Sequence, residues 1–254
     1  MSIAIVTGAG GDIGRAITKV LVEDGYQVVI ADIDEAAAAR SAEAIGPAAR
    51  PAQADITRPE DVARLAEAAR ALGPVALLVN NAGGITEASL AATGIEHWRH
   101  DLALNLEGAF SCFKAVEADL KATRGCVVNI ASVNGFGVFG HPGYSAAKAG
   151  LIHLTRLIAV EYGKFGIRAN AVAPGTVQTQ AWNARAVANP NVMAEARRWY
   201  PLQRVAKPED VAEAVRFLAS SRAAAITGVC LPVDCGLMAG QTELAGTFSQ
   251  SADY

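Results

Sequence analysis

Cysteine, histidine and aromatic residues are scarce in this 254-residue chain, and each scarcity removes a class of protein. The four cysteines, at 112, 126, 230 and 235, form no CxxC pair. The histidines at 97, 100, 141 and 153 lack metal-ligand spacing. Neither a zinc site nor a disulfide framework is expected, and reduced thiols in a cytoplasmic protein are the default. A basic stripe is missing too: the net charge is -3 and the pI about 5.8, which points away from nucleic acid. No apolar run reaches the roughly 18 residues that a membrane span needs. The first residues, Met1 to Val6, show no basic segment ahead of the apolar run, so no secretory leader is expected. What is abundant is apolar side chain, 52 % against 19 % charged, enough for a sizeable core and too much for disorder. Much of it is alanine, which suits helices packed closely on a sheet.

Short apolar runs alternate with longer helical stretches. Strands are expected at 3–6, 27–31, 75–79, 126–130, 168–172 and 230–233. Helices are expected at 13–24, 35–44, 59–72 (with Thr57 as N-cap), 98–122, 144–162 and 208–218. Strands apolar on both faces and spaced by helices indicate a parallel sheet covered on both sides. The rhythm runs without a linker to about residue 234, so the expectation is one doubly wound Rossmann-type α/β domain over 1–254. The segment 180–205 reads as a lid and 237–254 as an extension.

The first strand runs into Thr7-Gly8-Ala9-Gly10-Gly11-Asp12-Ile13-Gly14. Glycines at a strand-to-helix turn let backbone N–H groups approach a pyrophosphate, and the helix N-terminus adds partial positive charge. Asp32 ends the second strand. There it can accept hydrogen bonds from an adenosine ribose diol, or it can cap the following helix. No Arg or Lys occupies Gly11 or Ile33 to receive a 2′-phosphate, so NAD is expected over NADP.

Tyr144 and Lys148 are spaced i, i+4 and share a helix face. A phenol ordinarily titrates near ~10, and a neighbouring ammonium favours its ionised form. That spacing is weak by itself. Ser132 gives it context, because a loop between 132 and 144 can fold the serine hydroxyl beside the phenol. Two hydroxyls then hold one substrate oxygen.

Together these segments resemble the short-chain dehydrogenase/reductase family over about residues 3–236. The motifs that carry the resemblance run in order: Thr7 to Gly14, Asp55-Ile56-Thr57, Asn80-Asn81-Ala82-Gly83, Asn105-Leu106-Glu107-Gly108, Ser132, Tyr144-Ser145-Ala146-Ala147-Lys148 and Pro174-Gly175-Thr176-Val177-Gln178-Thr179. The resemblance implies that Tyr144 is the general acid/base and that Ser132 orients the substrate oxygen. It implies that Lys148 holds the nicotinamide ribose and lowers the phenol pKa, and that Asn105 anchors a water in a proton relay. Gly8, Ile13 and Gly14 would meet the pyrophosphate, Asp32 the adenosine ribose, and Asp55 and Ile56 the adenine. Asn81, Ala82 and Gly83 would lie along the adenosine-side ribose, and Val177 and Thr179 at the carboxamide. Asp12, Ile33 and Pro174 complete the cofactor-facing set. A homotetramer is implied as well, with the helix 144–162 in an interface, although Leu151, Leu154 and Ile158 fit a core equally well.

Two positions depart from the family pattern. Asp12 stands where glycine is usual, and a carboxylate there must point away from a pyrophosphate or cap the helix. Cys235 also replaces a glycine and reads as filling a small buried space. For the substrate, Asn134, His141 and Trp182 are the pocket-lining expectations. The lid residues Trp182, Arg185, Arg197, Arg198, Trp199 and Tyr200 could suit a polyol, sugar or anion, or could form a solvated amphipathic helix. The activity expected is hydride transfer with a secondary alcohol, ketone, sugar or polyol. The alternatives are a binding protein on this scaffold, a nucleotide-sugar epimerase and a methyltransferase. A binding protein need not keep all of Asn105, Ser132, Tyr144 and Lys148, a methyltransferase has no need of Ser132, Tyr144 and Lys148, and an epimerase usually carries a further substrate domain for which 254 residues leave no room.

Overall fold

The expected strands assemble into one parallel sheet. In the computed structural model, which describes residues 2–254 apart from 181, 183–186, 188, 190 and the side chain of Met193, it has seven strands in the order β3-β2-β1-β4-β5-β6-β7. They are β1 (Ile3–Thr7), β2 (Gln27–Asp32), β3 (Ala49–Gln53), β4 (Val75–Asn80), β5 (Cys126–Ile130), β6 (Arg168–Pro174) and β7 (Cys230–Val233). The order reverses between β1 and β4, and a parallel sheet opens a crevice at such a point beyond its carboxyl ends.

Helices cover both faces because the inner strands bury both. On one side α1 (Asp12–Glu23) and α8 (Pro208–Ala219) bring Ile17, Leu21, Val215 and Leu218 against Val6, Ile30 and Val128. On the other, α3 (Pro59–Arg70), α5 (Gly108–Thr123) and α6 (Pro142–Tyr162) bring Leu65, Phe113, Leu120 and Ile158 against Ile5, Leu78 and Val127. Leu151 and Ile158 are buried and Leu154 packs on the second core, so the open choice for that helix face is decided for the core. The shorter α2 (Glu35–Ile45) and α4 (Ile95–Leu102) follow β2 and β4, and α7 (Val192–Arg197) and α9 (Thr242–Ser249) fall in the lid and the tail. Among the described residues no helix is long and apolar enough to cross a membrane.

Three local expectations need correction. Ala49–Gln53 was not expected as a strand, since Arg50 and Gln53 are exposed and Pro51 lacks an N–H. It pairs with β2 alone at the sheet edge, where a proline costs least. Thr57 does not cap α3. Its hydroxyl donates to Asp55 Oδ1 at 2.7 Å, and the N-cap is Arg58. The helix expected over 98–122 is two helices joined by a π-helical turn, Ala103–Glu107, closed by Gly108 N–H on Ala103 C=O. That extra residue per turn is the kind of bulge that gathers at functional sites, and Asn105 lies in it.

Cys235 adopts a left-handed backbone, φ +53, directly before Gly236 at φ +91, which explains why glycine suits the position. All four cysteines are free. Burial pushes the Cys112 thiol up to about 12 and Cys126 to about 11, so both are inert at neutral pH. Leu78 is fully buried in the central strand β4. Leu78→Ala is expected to cost about 2–5 kcal/mol, read as a lower urea midpoint with an unchanged slope.

Candidate active site

The turn after β1 is built so closely that side chains cannot fit. Gly8 has φ +64, and a Cβ there would lie 2.7 Å from Ala82 Cα. A Cβ on Gly14 would lie 2.6 Å from Ala9 Cα and from Gly8 O. The neighbouring β4 end holds this turn. Asn81 Nδ2 donates to Thr7 O at 2.9 Å and Gly8 O at 3.0 Å, while the N–H groups of Asn81 and Ala82 both donate to Thr7 Oγ1. Thr7 and Asn81 therefore act as a clasp. The sequence signal for it is a polar residue closing each of two apolar strand runs.

A cleft of about 670 Å³ opens over this turn and the N-terminus of α1. Gly8, Ile13, Gly14, Asp32, Asp55 and Ala82 are among its walls, together with Ile33, Ile56, Asn81 and Gly83. The Asp32 carboxylate is fixed at the rim: Oδ2 accepts from Gly10 N–H at 2.9 Å and Oδ1 from Asp34 N–H at 3.0 Å. It does not cap α2. Asp34 does, accepting from Ala37 N–H at 3.0 Å. The described lining contains four aspartates (Asp12, Asp32, Asp34, Asp55) and neither lysine nor arginine. Ile56 is buried, with its side chain against Gly108. Asp12 is occupied: Oδ1 pairs with Arg15 at 2.8 Å and Oδ2 accepts from Gln180 N–H at 2.7 Å. It ties the start of the lid segment to α1, so its carboxylate does not face the turn alone.

Ile13, Asn81, Gly83 and Thr179 also line a second cavity of about 500 Å³, which continues the cleft. Ser132, Tyr144, Lys148, Pro174 and Val177 face it. Ser132 follows β5 and Tyr144 sits in the first turn of α6, so a strand end and a helix start converge. Lys148, 3 % exposed, donates from Nζ to Ile130 O at 2.7 Å, and its Nζ lies 5.4 Å from the centroid of the Tyr144 ring. Burial lowers its pKa from the ordinary 10.5 to about 8. Burial raises the Tyr144 phenol above its ordinary value, and the hydrogen bond with Ser132 pulls it back. The depression expected from Lys148 is thus not a property of the chain alone.

Asn105 is 1 % exposed and clamps the loop after β4: Nδ2 donates to Gly84 O at 2.8 Å and Oδ1 accepts from Gly84 N–H at 3.2 Å. A Cβ on Gly83 would meet both Asn105 Oδ1 at 2.7 Å and Lys148 Nζ at 3.3 Å, which brings these two side chains to one glycine.

The three substrate-lining expectations fare differently. Asn134, His141 and Trp182 all line the cavity. The Asn134 amide, however, is spent inside the protein. Nδ2 donates to Gly140 O at 3.0 Å and to Ser145 Oγ at 3.1 Å, and Oδ1 accepts from Ser132 Oγ at 3.3 Å. Asn134 orients Ser132. Ile85, Val133, Phe139 and Leu237 were not foreseen as walls, because isolated apolar residues in loops carry no periodic signal. In the lid, Tyr200 is buried and donates to Thr176 Oγ1 at 2.7 Å, whereas Arg197 and Arg198 are exposed, as a solvated face requires. Arg185 lies outside the described residues.

Behind the site a buried polar chain was also unforeseen. Asn80 Nδ2 donates to Asn129 Oδ1 at 2.8 Å, and Asn129 Nδ2 to Thr155 Oγ1 at 2.9 Å. It crosses from β4 through β5 to α6 and fixes the helix that carries Tyr144 and Lys148.

The chain is similar to known proteins over nearly its whole length. A family model described as enoyl-(acyl carrier protein) reductase matches residues 8–238. A solved oxidoreductase of the short-chain dehydrogenase/reductase family from Burkholderia thailandensis superposes with a TM-score of 0.93 at 45 % identity, covering 100 % of this chain and 99 % of that one. An uncharacterized oxidoreductase of Schizosaccharomyces pombe is 40 % identical over 94 % of this chain and 91 % of its own. A cis-4-hydroxycyclohexanecarboxylate dehydrogenase of Sinomonas cyclohexanicum is 40 % identical over 93 % of this chain and 96 % of its own.

The lysine offers a test of the site independent of turnover. Its folded pKa, about 8, lies below the ordinary 10.5. The folded state therefore binds fewer protons between those values, and stability rises with pH across that window. Lys148→Met is expected to flatten this rise and to stabilise the fold below pH 8, as read by urea unfolding at several pH values.

Proposed function

The chain belongs to the short-chain dehydrogenase/reductase family, and we propose that it is an NAD-dependent oxidoreductase interconverting a secondary alcohol and its ketone. One observation carries this reading: the Ser132, Tyr144 and Lys148 cluster opens onto a cavity continuous with a glycine-walled cleft over a helix N-terminus. The cleft fits a dinucleotide. Its turn excludes side chains, its helix end suits a pyrophosphate, and Asp32 stands where a ribose diol would be held. Asp32 and Asp55 have no ion-pair partner among the described residues, which supports NAD over NADP, since a 2′-phosphate there would meet their negative charge.

Bound in the oxidised state, the nicotinamide supplies the hydride acceptor and a ring positive charge. Alcohol oxidation gives up a hydride from the carbinol carbon and a proton from its oxygen. Tyr144 takes the proton as general base, and in reduction it returns one as general acid. Ser132, oriented by Asn134, hydrogen-bonds the same oxygen and holds it against the phenol. Lys148 sets positive charge beneath the phenol, and Asn105 lies beside it at Gly83 for a relay of protons outward. The substrates in this reading are secondary alcohols, ketones, sugars and polyols. The Sinomonas relative, whose name specifies a hydroxyl on a cyclohexane ring, supports that class.

The same reading places the chain in the cytoplasm as a single dinucleotide-binding domain that assembles as a homotetramer. Phe110 on α5 with Leu157 and Val160 on α6 present apolar surface to solvent, which supports an interface there.

Tyr144→Phe is expected to lower alcohol oxidation about 10²–10⁴-fold while NADH still binds, as read by absorbance of the reduced cofactor and by fluorescence titration. Retained turnover would remove Tyr144 from the chemistry. Asp32→Ala is expected to weaken NADH binding and to bring NADPH closer to it, and an unchanged ratio of the two affinities would reject the ribose role.

A further inference from the structure

His141 is held in a left-handed conformation, φ +55, immediately ahead of the helix that carries Tyr144. Such a backbone persists where its surroundings over-determine it, and here they do. Its N–H donates to Ala88 O at 3.0 Å, its C=O accepts from Ser145 N–H at 2.8 Å, and its ring Nδ1 lies 3.1 Å from Glu87 O. A backbone carbonyl can only accept. Nδ1 therefore carries the proton, which leaves Nε2 of the neutral ring as a bare acceptor.

The imidazole lines the 500 Å³ cavity beside Ser132 and Tyr144. With Nδ1 turned onto Glu87, Nε2 is the ring nitrogen left for that space. Beside it the Asn134 amide is spent on Gly140, Ser145 and Ser132, and Lys148 can only donate. The described lining holds no carboxylate and no cation besides Lys148, so the cavity suits a neutral ligand. Its remaining walls are largely apolar, among them Ile85, Val133, Phe139 and Leu237.

We propose that His141 Nε2 accepts a hydrogen bond from a second substrate hydroxyl, on the carbon next to the one oxidised, and so selects neutral vicinal diols and the hydroxyketones they form. His141 is the N-cap of the helix whose first turn holds Tyr144, and both side chains line the same cavity. A monohydric alcohol offers the half-buried acceptor no second hydroxyl to accept from, which is how a polar pocket discriminates. This assignment rests on the alcohol oxidation proposed above.

The test compares kcat/KM with NAD for cis-1,2-cyclohexanediol and cyclohexanol. The wild-type protein is expected to favour the diol about tenfold, the upper range for one neutral hydrogen bond. His141→Asn keeps a residue that tolerates the left-handed backbone but shortens the side chain. It is expected to bring the diol-to-cyclohexanol ratio to about one. A wild-type ratio near one overturns the assignment and leaves alcohol oxidation standing, as does a ratio that the variant does not move. Equal losses on both alcohols fall in that second case, because a structural role lowers both without changing their ratio. No NADH from either alcohol with the wild-type protein would overturn both the assignment and the reading beneath it.

Discussion

An ammonium group 3 % exposed and hydrogen-bonded to one backbone carbonyl is costly to keep inside a protein, and the arrangement of the site follows from where that cost is met. Lys148 reaches from α6 to Ile130 O at the end of β5 at 2.7 Å. That bond fixes the rotation of α6 on the sheet, and with it Tyr144, one turn earlier on the same face. The Asn80, Asn129 and Thr155 chain fixes the same helix from behind. Burial disfavours the charge in place and lowers the Lys148 pKa to about 8. A group so strained has reason to persist at a functional site, and its Nζ lies 5.4 Å from the ring of Tyr144, a phenol that burial holds above its ordinary value.

The cleft obeys the opposite rule, since it works by leaving side chains out. Gly8 and Gly14 leave no room for a Cβ, and the Thr7 and Asn81 clasp holds the turn open against the neighbouring strand. Charge in the described walls is negative throughout, apart from the helix N-terminus that faces the turn. A ligand that brings a pyrophosphate to the helix and hydroxyls to Asp32 meets both features favourably. Asp12 fits the same scheme, because Arg15 and Gln180 take its carboxylate and it fastens the lid to α1.

Most of the fold was legible in the sequence because the inner strands are apolar on both faces and the helices between them keep a 3.6-residue period. The edge strand Ala49–Gln53 was not, since an edge position tolerates Arg50, Pro51 and Gln53. The π-helical turn at Asn105 was not either, as one inserted residue leaves the apolar pattern nearly intact. Ser132, Tyr144 and Lys148 could be named because their spacing is a property of the chain. The role of Asn134 could not, because it depends on Gly140 and Ser145 folding back onto it. Nor could the orientation of His141, which Glu87 sets from 54 residues away. Residues placed by their own element were readable; residues placed by a loop from elsewhere were not.

The central claim is that the cavity at Tyr144 transfers a hydride to a nicotinamide lodged in the cleft. The most direct measurement follows the hydrogen itself. The protein is incubated with NAD and a neutral secondary alcohol carrying deuterium at its carbinol carbon, and the reduced cofactor is analysed by mass spectrometry and NMR. One deuterium per reduced nicotinamide, on a single face of the ring, is the predicted result. Reduced cofactor without deuterium, or deuterium lost to water, would contradict the account.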